Sequence, residues 1–99
     1  MADPRYLQTS LFTRRSADAA YLKEIESWED WVFDGSEYRH DYDRAVSLYV
    51  HYGHAVVTFG DGTVADLQPG DAMTINAGST AVWAITGPIR NSYIYHGAA

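Results

Sequence analysis

From Ser47 onward, apolar and polar positions alternate in short runs cut by glycine, proline, asparagine and aspartate. Ser47–Tyr52 alternates and closes at Gly53. Ala55–Phe59 is β-branched and aromatic, the composition that strands favour. Gly60-Asp61-Gly62 then supplies a tight hairpin-type turn, Thr63–Leu67 returns, and Pro69-Gly70-Asp71 breaks the pattern again. Ala72–Ile75, Thr80–Ile85 and Asn91–His96 continue the series, separated by Asn76-Ala77-Gly78 and Gly87-Pro88. Strands recurring roughly every ten residues, with turn residues between them, predict an all-β sandwich or barrel.

The first third reads differently. Tyr6, Leu7, Leu11 and Phe12 suit an edge strand. Ser16–Ile25 fits a helical turn or two, capped by Ser16 or Asp18, with Tyr21, Leu22 and Ile25 on one face. An irregular segment packing its apolar residues on the barrel fits equally well. The chain divides into an arm over residues 1–27 and a barrel domain over residues 28–99.

A length of 99 residues allows one core, and a domain of this size gains by burying more surface against a second copy. A homodimer is therefore expected, with the N-terminal residues as the exchanged or interfacial segment. The net charge of −6 and the lack of any basic cluster beyond Arg14-Arg15 argue against nucleic acid and anionic membranes as partners. No cysteine is present, which removes thiolate catalysis, disulfides and Cys-ligated zinc. The first residues lack a basic and then apolar leader, and no apolar run approaches the ~18 residues of a membrane span. The expectation is a cytoplasmic protein.

One constellation is more specific. Gly70-Asp71, Ile75 and Gly78, followed by Trp83, resemble the second conserved motif of the cupins, with Asn76 at the place of its proline. Gly53 resembles the end of the first motif. Trp28, Trp31, Ser36, Tyr38, Tyr42 and Asp43, and then Pro88-Ile89-Arg90-Asn91, are similar to the pattern of small single-domain cupins related to ureidoglycine aminohydrolase and the ethanolamine-utilisation cupin. The resemblance spans about residues 28–95. It implies a double-stranded β-helix (jelly-roll) barrel with a short irregular or helical N-terminal segment. It settles no activity, since one fold hosts many chemistries.

The resemblance also implies where a metal would be held. The three histidines and one glutamate of a metal-binding cupin fall at His40, Tyr42, Ala81 and Val46, so only His40 keeps a ligand side chain. Val46 and Ala81 offer no lone pair to a divalent ion. No metal and no other cofactor is expected. His51, His54 and His96 read as exposed or structural residues near strand ends.

With the inward face fixed by the resemblance, His40 and Tyr42 are the candidate catalytic pair. Histidine titrates near neutrality, and a tyrosine two residues along a strand shares its face. Leu48, Val50, Ala81, Trp83 and Tyr93 are the candidate ligand-binding wall. Such a lining suits a small-molecule pocket, and it equally suits a small barrel filled by its own side chains. Carboxylates crowd residues 24–43 around Trp28 and Trp31; they read either as a solvated segment or as a surface for a cationic partner. No phosphate loop, nucleophile elbow or calcium loop is present. Three functions remain open. The first is a metal-independent cupin that binds or transforms a small polar metabolite. The second is a metal-dependent enzyme with an atypical ligand set drawn from His40, Asp43 and another histidine. The third is a non-catalytic interaction protein.

Overall fold

The alternating stretches become strands of one antiparallel sheet. In the computed structural model, residues 3–96 are described. The order is β1 (Leu7–Gln8), β2 (Phe12–Ser16), α1 (Ala19–Glu24), a 3-10 turn (Ile25–Ser27), β3 (Glu29–Phe33), β4 (Glu37–Tyr42), β5 (Val46–Phe59), β6 (Val64–Leu67), β7 (Asp71–Ile75) and β8 (Ser79–Tyr95). Neighbours across the sheet run β1-β2-β7-β5-β8-β3, with β4 also on β8 and β6 also on β5. The architecture is the jelly-roll barrel. Among the described residues no helix is long and apolar enough to cross a membrane.

Two long strands organise it. β5 and β8 pair from Val46↔Tyr95 to Phe59↔Ala81. Along its outer edge β5 meets β7 at Val46–Tyr49 and β6 at Ala55–Thr58. β8 likewise meets β4 over Ser79–Ala84 and β3 over Ile89–Tyr93. Each long strand thus serves two parts of the barrel and must bend between them.

The bend explains where the sequence pattern misleads. Gly53 and Gly87-Pro88 are turn residues by composition, yet both lie inside strands. The β5–β8 register shifts between Val50 and Tyr52 and again between Tyr52 and His54. Such bulges kink and twist a strand without ending it. Gly53 sits at φ +94° at this point.

Alternation places Phe12, Val50, Val57, Leu67, Met73, Ile75 and Ile89 in a fully buried core. Phe12 stacks on Phe59 at 4.6 Å, so β2 contributes to the interior from the N-terminal segment. The helical alternative for that segment is the one formed: Asp18 caps α1, its carboxylate accepting from the Tyr21 N–H at 2.8 Å. Tyr21 and Ile25 are buried four residues apart, whereas Leu22 is 41% exposed, so the expected three-residue face is a two-residue one. A helix turns about 100° per residue, which carries Leu22 away from the barrel. The arm is fastened by Arg5, whose guanidinium donates to both Asp71 carboxylate oxygens at 3.0 and 2.6 Å and to the Asp66 carbonyl at 3.0 Å.

Candidate functional site

At one end of the barrel the side chains leave space. A cavity of about 120 Å³ is lined by Trp31, Tyr38, Tyr42, Val46, Leu48, Trp83, Asn91, Tyr93 and Tyr95. Four strands build it by period-two geometry: Tyr38 and Tyr42 from β4, Val46 and Leu48 from β5, Asn91, Tyr93 and Tyr95 from the end of β8, and Trp31 from β3. Trp31 packs edge-on against Trp83 at 5.9 Å and beside Tyr38 at 5.0 Å.

Of the residues expected at this site, Tyr42, Leu48, Trp83 and Tyr93 line the cavity. Val50 and Ala81 are fully buried in the core and are not among the lining residues. His40 stands beside the cavity. Its Nδ1 lies 3.1 Å from the Tyr38 hydroxyl and its Nε2 3.4 Å from the Tyr95 hydroxyl. In a neutral imidazole one ring nitrogen donates and the other accepts, so the two tyrosines take opposite roles. Tyr42 makes no hydrogen bond to His40; the rings meet edge to face at 4.6 Å. Its hydroxyl instead accepts from the Trp83 indole N–H at 3.2 Å. Burial pushes the Tyr42 phenol far above its ordinary value, so it acts as a neutral hydroxyl.

Asn91, Trp31, Tyr38, Tyr95 and Val46 complete the wall; none is among the candidate ligand-binding residues, and Val46 enters only as the place of the family's glutamate. Asn91 is 3% exposed, and its side-chain oxygen has no hydrogen-bond partner. A buried polar atom left this way costs about 1–3 kcal/mol. The sequence signal was the same alternation that selected Tyr93: Asn91, Tyr93 and Tyr95 are successive inward positions of one strand.

The four places that the cupin resemblance assigns to metal ligands do converge. His40 is the register partner of Ala81, and Tyr42 and Val46 line the same cavity. Their donor chemistry does not fit an ordinary cupin metal, because Val46 and Ala81 present only carbon. No group of three histidine, cysteine, aspartate or glutamate side chains gathers among the described residues.

His51 and His96 bond across strands, and His54 is exposed. His51, expected to point outward, is half-buried, with Nε2 2.7 Å from the Ser92 hydroxyl. Ser92 donates to Asp30, which also takes the Arg90 guanidinium at 2.6 Å. Burial lowers the His51 pKa first, and the nearby Arg90 charge adds to it. The folded state therefore prefers neutral His51. Its contribution is complete above the ordinary value of 6.5 and is lost as pH falls through the lowered folded value. Thermal melts should show His51→Gln losing less stability than the parent between neutral pH and the onset of carboxylate protonation. Parallel curves would remove His51 from that account. His96 bonds Ser47 at 2.7 Å, and its backbone N–H reaches the Ala45 carbonyl.

The fold and this cavity meet a defined family. The model of the EutQ-like cupin domain matches residues 22–93. The chain belongs to the EutQ-like cupins. Among solved structures, this EutQ-like cupin is similar to a DUF861-family protein of Thermotoga maritima, with a TM-score of 0.80 and 28% identity, covering 86% of this chain and 99% of that one. It is also similar to a putative ethanolamine utilization protein Q of Salmonella typhimurium, with a TM-score of 0.64 and 16% identity over 89% of this chain and 71% of that one. A protein of unknown function (DUF1255) from Acidithiobacillus ferrooxidans matches with a TM-score of 0.64 and 20% identity, over 91% of this chain and 83% of that one. No curated protein matches the chain. The two likenesses below 25% identity speak to the fold alone.

Proposed function

We propose that this cupin is a metal-independent protein that binds or transforms a small polar molecule in its aromatic cavity. The observation that carries the reading is the cavity itself. Small barrels are commonly filled by their own side chains, yet here about 120 Å³ stays open among six aromatic residues. An engineered apolar cavity of about 150 Å³ holds benzene, so the space suits a ligand of that size or smaller.

His40 supplies the chemistry a transformation would need. It reaches the cavity through Tyr38 and Tyr95, which line it and also contact the imidazole. As one tyrosine oxygen takes a proton from the bound molecule it passes its own hydroxyl proton to one ring nitrogen, the other nitrogen releases its proton to the second tyrosine, and that tyrosine returns its hydroxyl proton to the bound molecule. That is a relay through a tautomer change, with no net charge left behind. His40 is thus a relay and positioning residue. We further propose a cytoplasmic homodimer, supported by the small size of the domain.

Native mass spectrometry of untagged protein tests mass, metal and co-purified ligand together. The expected species is a metal-free dimer, with a small adduct where the ligand survives purification. One metal per chain would overturn metal independence, and a monomer would overturn the dimer. His40→Ala should reduce adduct occupancy about tenfold, the scale of one charge-free hydrogen-bond pathway lost from a site. Its melting temperature should stay within about 5 °C of the parent, since the imidazole is half-buried. A large loss of stability with full occupancy would mean that His40 is structural.

A further inference from the structure

The sheet ends in three places: at β1, at β6, and at β3 with β4, which follow one another along one side of β8. β1 has two residues and β6 four, against five in β3. Among the described residues, no backbone hydrogen bond joins β3 to any strand but β8. In an antiparallel pair every second residue turns its N–H and C=O away from its partner, so β3 presents unpaired backbone groups along its outer side. Such an edge is a template for another extended chain, and charge on it restricts which chain can use it.

The side chains around β3 set that restriction. Val32, near the middle, is 59% exposed, while Trp31 and Phe33 turn to the opposite face with their rings stacked at 5.3 Å. Glu29, Asp30, Asp34 and Glu37 are exposed, as are Glu24 and Glu26 ahead of the strand. Among the described residues, Asp30 alone of these carboxylates is in an ion pair, with Arg90 at 2.6 Å. No lysine or arginine occurs from Glu24 to Tyr38. β4 differs, because Arg39 interrupts its outward row between Glu37 and Asp41.

A second copy laid on this edge would set carboxylates near carboxylates, in two chains that each carry a net charge of −6. A basic strand meets the opposite situation. We infer that the outer edge of β3 takes an extended, basic segment of another protein as a further strand, its Lys or Arg side chains meeting the unpaired carboxylates. Backbone pairing supplies the affinity and the charges select the partner. This inference is independent of the reading of the cavity.

The test is a titration of the full ¹⁵N-labelled chain at low salt, followed by its backbone amide signals. The probes are a capped peptide alternating Lys with Val and its counterpart alternating Glu with Val. The Lys peptide should bind at least about tenfold more tightly, the scale of several cross-strand charge pairs, with the largest shifts in β3. At saturation, alternate amide protons of β3 should exchange more slowly, as new strand pairing requires. Glu29→Gln combined with Asp34→Asn should weaken the Lys peptide about fivefold and leave the melting temperature unchanged, since both side chains are exposed. Equal binding of the two peptides, or full affinity in the double variant, would overturn the charge selection. Unchanged exchange in β3 would overturn strand addition. Shifts centred on β1, β4 or β6 would overturn the location, and no response at millimolar Lys peptide would overturn the whole inference.

Discussion

Gly53→Ala is expected to destabilise the protein by about 4 kcal/mol, combining the strain of a positive φ with overlap against fixed backbone. A Cβ at Gly53 would lie 2.6 Å from the Pro88 carbonyl oxygen and 2.7 Å from Ile89 Cα. Both neighbours belong to β8, which is fixed on its other edge by β3, so neither can yield cheaply. Gly62→Ala is the control. It also has positive φ, at +89°, but nothing lies within 4 Å of the position a Cβ would take. It should cost about 1 kcal/mol from backbone strain alone. Chemical denaturation of the two variants separates close approach from conformational freedom. Equal losses would mean that the close approach of β5 to β8 tolerates a methyl group.

Arg5→Ala is the second large effect. The Asp71 side chain is 2% exposed and that of Arg5 22%. Removing the guanidinium leaves Asp71 with the Gln68 backbone N–H, at 2.9 Å, as its remaining donor. Breaking one partner out of a buried pair costs about 3–5 kcal/mol, and the partial exposure of Arg5 sets the expectation at the lower end. For a domain of this length about 3 kcal/mol corresponds to roughly 12–24 °C in melting temperature. Pairing Arg5→Met with Asp71→Leu should recover much of the loss, because well-packed apolar residues can replace a buried ion pair. A drop below about 5 °C in Arg5→Ala would show that the arm is held by β2 and α1 alone.

Gly70-Asp71 was legible in the sequence as part of a family motif, and in this chain Asp71 anchors the N-terminal arm. Arg5 was not legible as its partner, because nothing in local pattern links residues so far apart in the chain. The strands from Ser47 onward followed from alternation, whereas β3 and β4 were not marked by it, and the acidic residues from Glu24 to Asp43 are solvent-exposed, as a solvated segment requires. The two tryptophans within that run part company. Trp28 packs edge-on against Tyr21 at 5.3 Å, while Trp31 enters the cavity wall.

The cavity was half legible. Parity along β8 selected Trp83 and Tyr93 and would have reached Asn91 and Tyr95 had it been carried along the whole strand. Parity along β4 placed Tyr42 and His40 on one face, but not their partners. Tyr42 is engaged by Trp83 and His40 by Tyr38 and Tyr95, and these choices depend on side-chain reach across strands.

The β5–β8 pairing also sets an order of assembly. Phe59 and Ala81 are its closest ends in the chain, and Val46 and Tyr95 its most distant. Loop-closure entropy rises with the length enclosed, so pairing zips from the Phe59 end outward. Contacts dominated by such distant partners make folding slow, on the order of milliseconds to seconds. Val46 and Tyr95 both line the cavity, which therefore sits at the last rung to form. Amide protons at the Val46–Tyr95 end are accordingly expected to exchange before those at the Phe59 end.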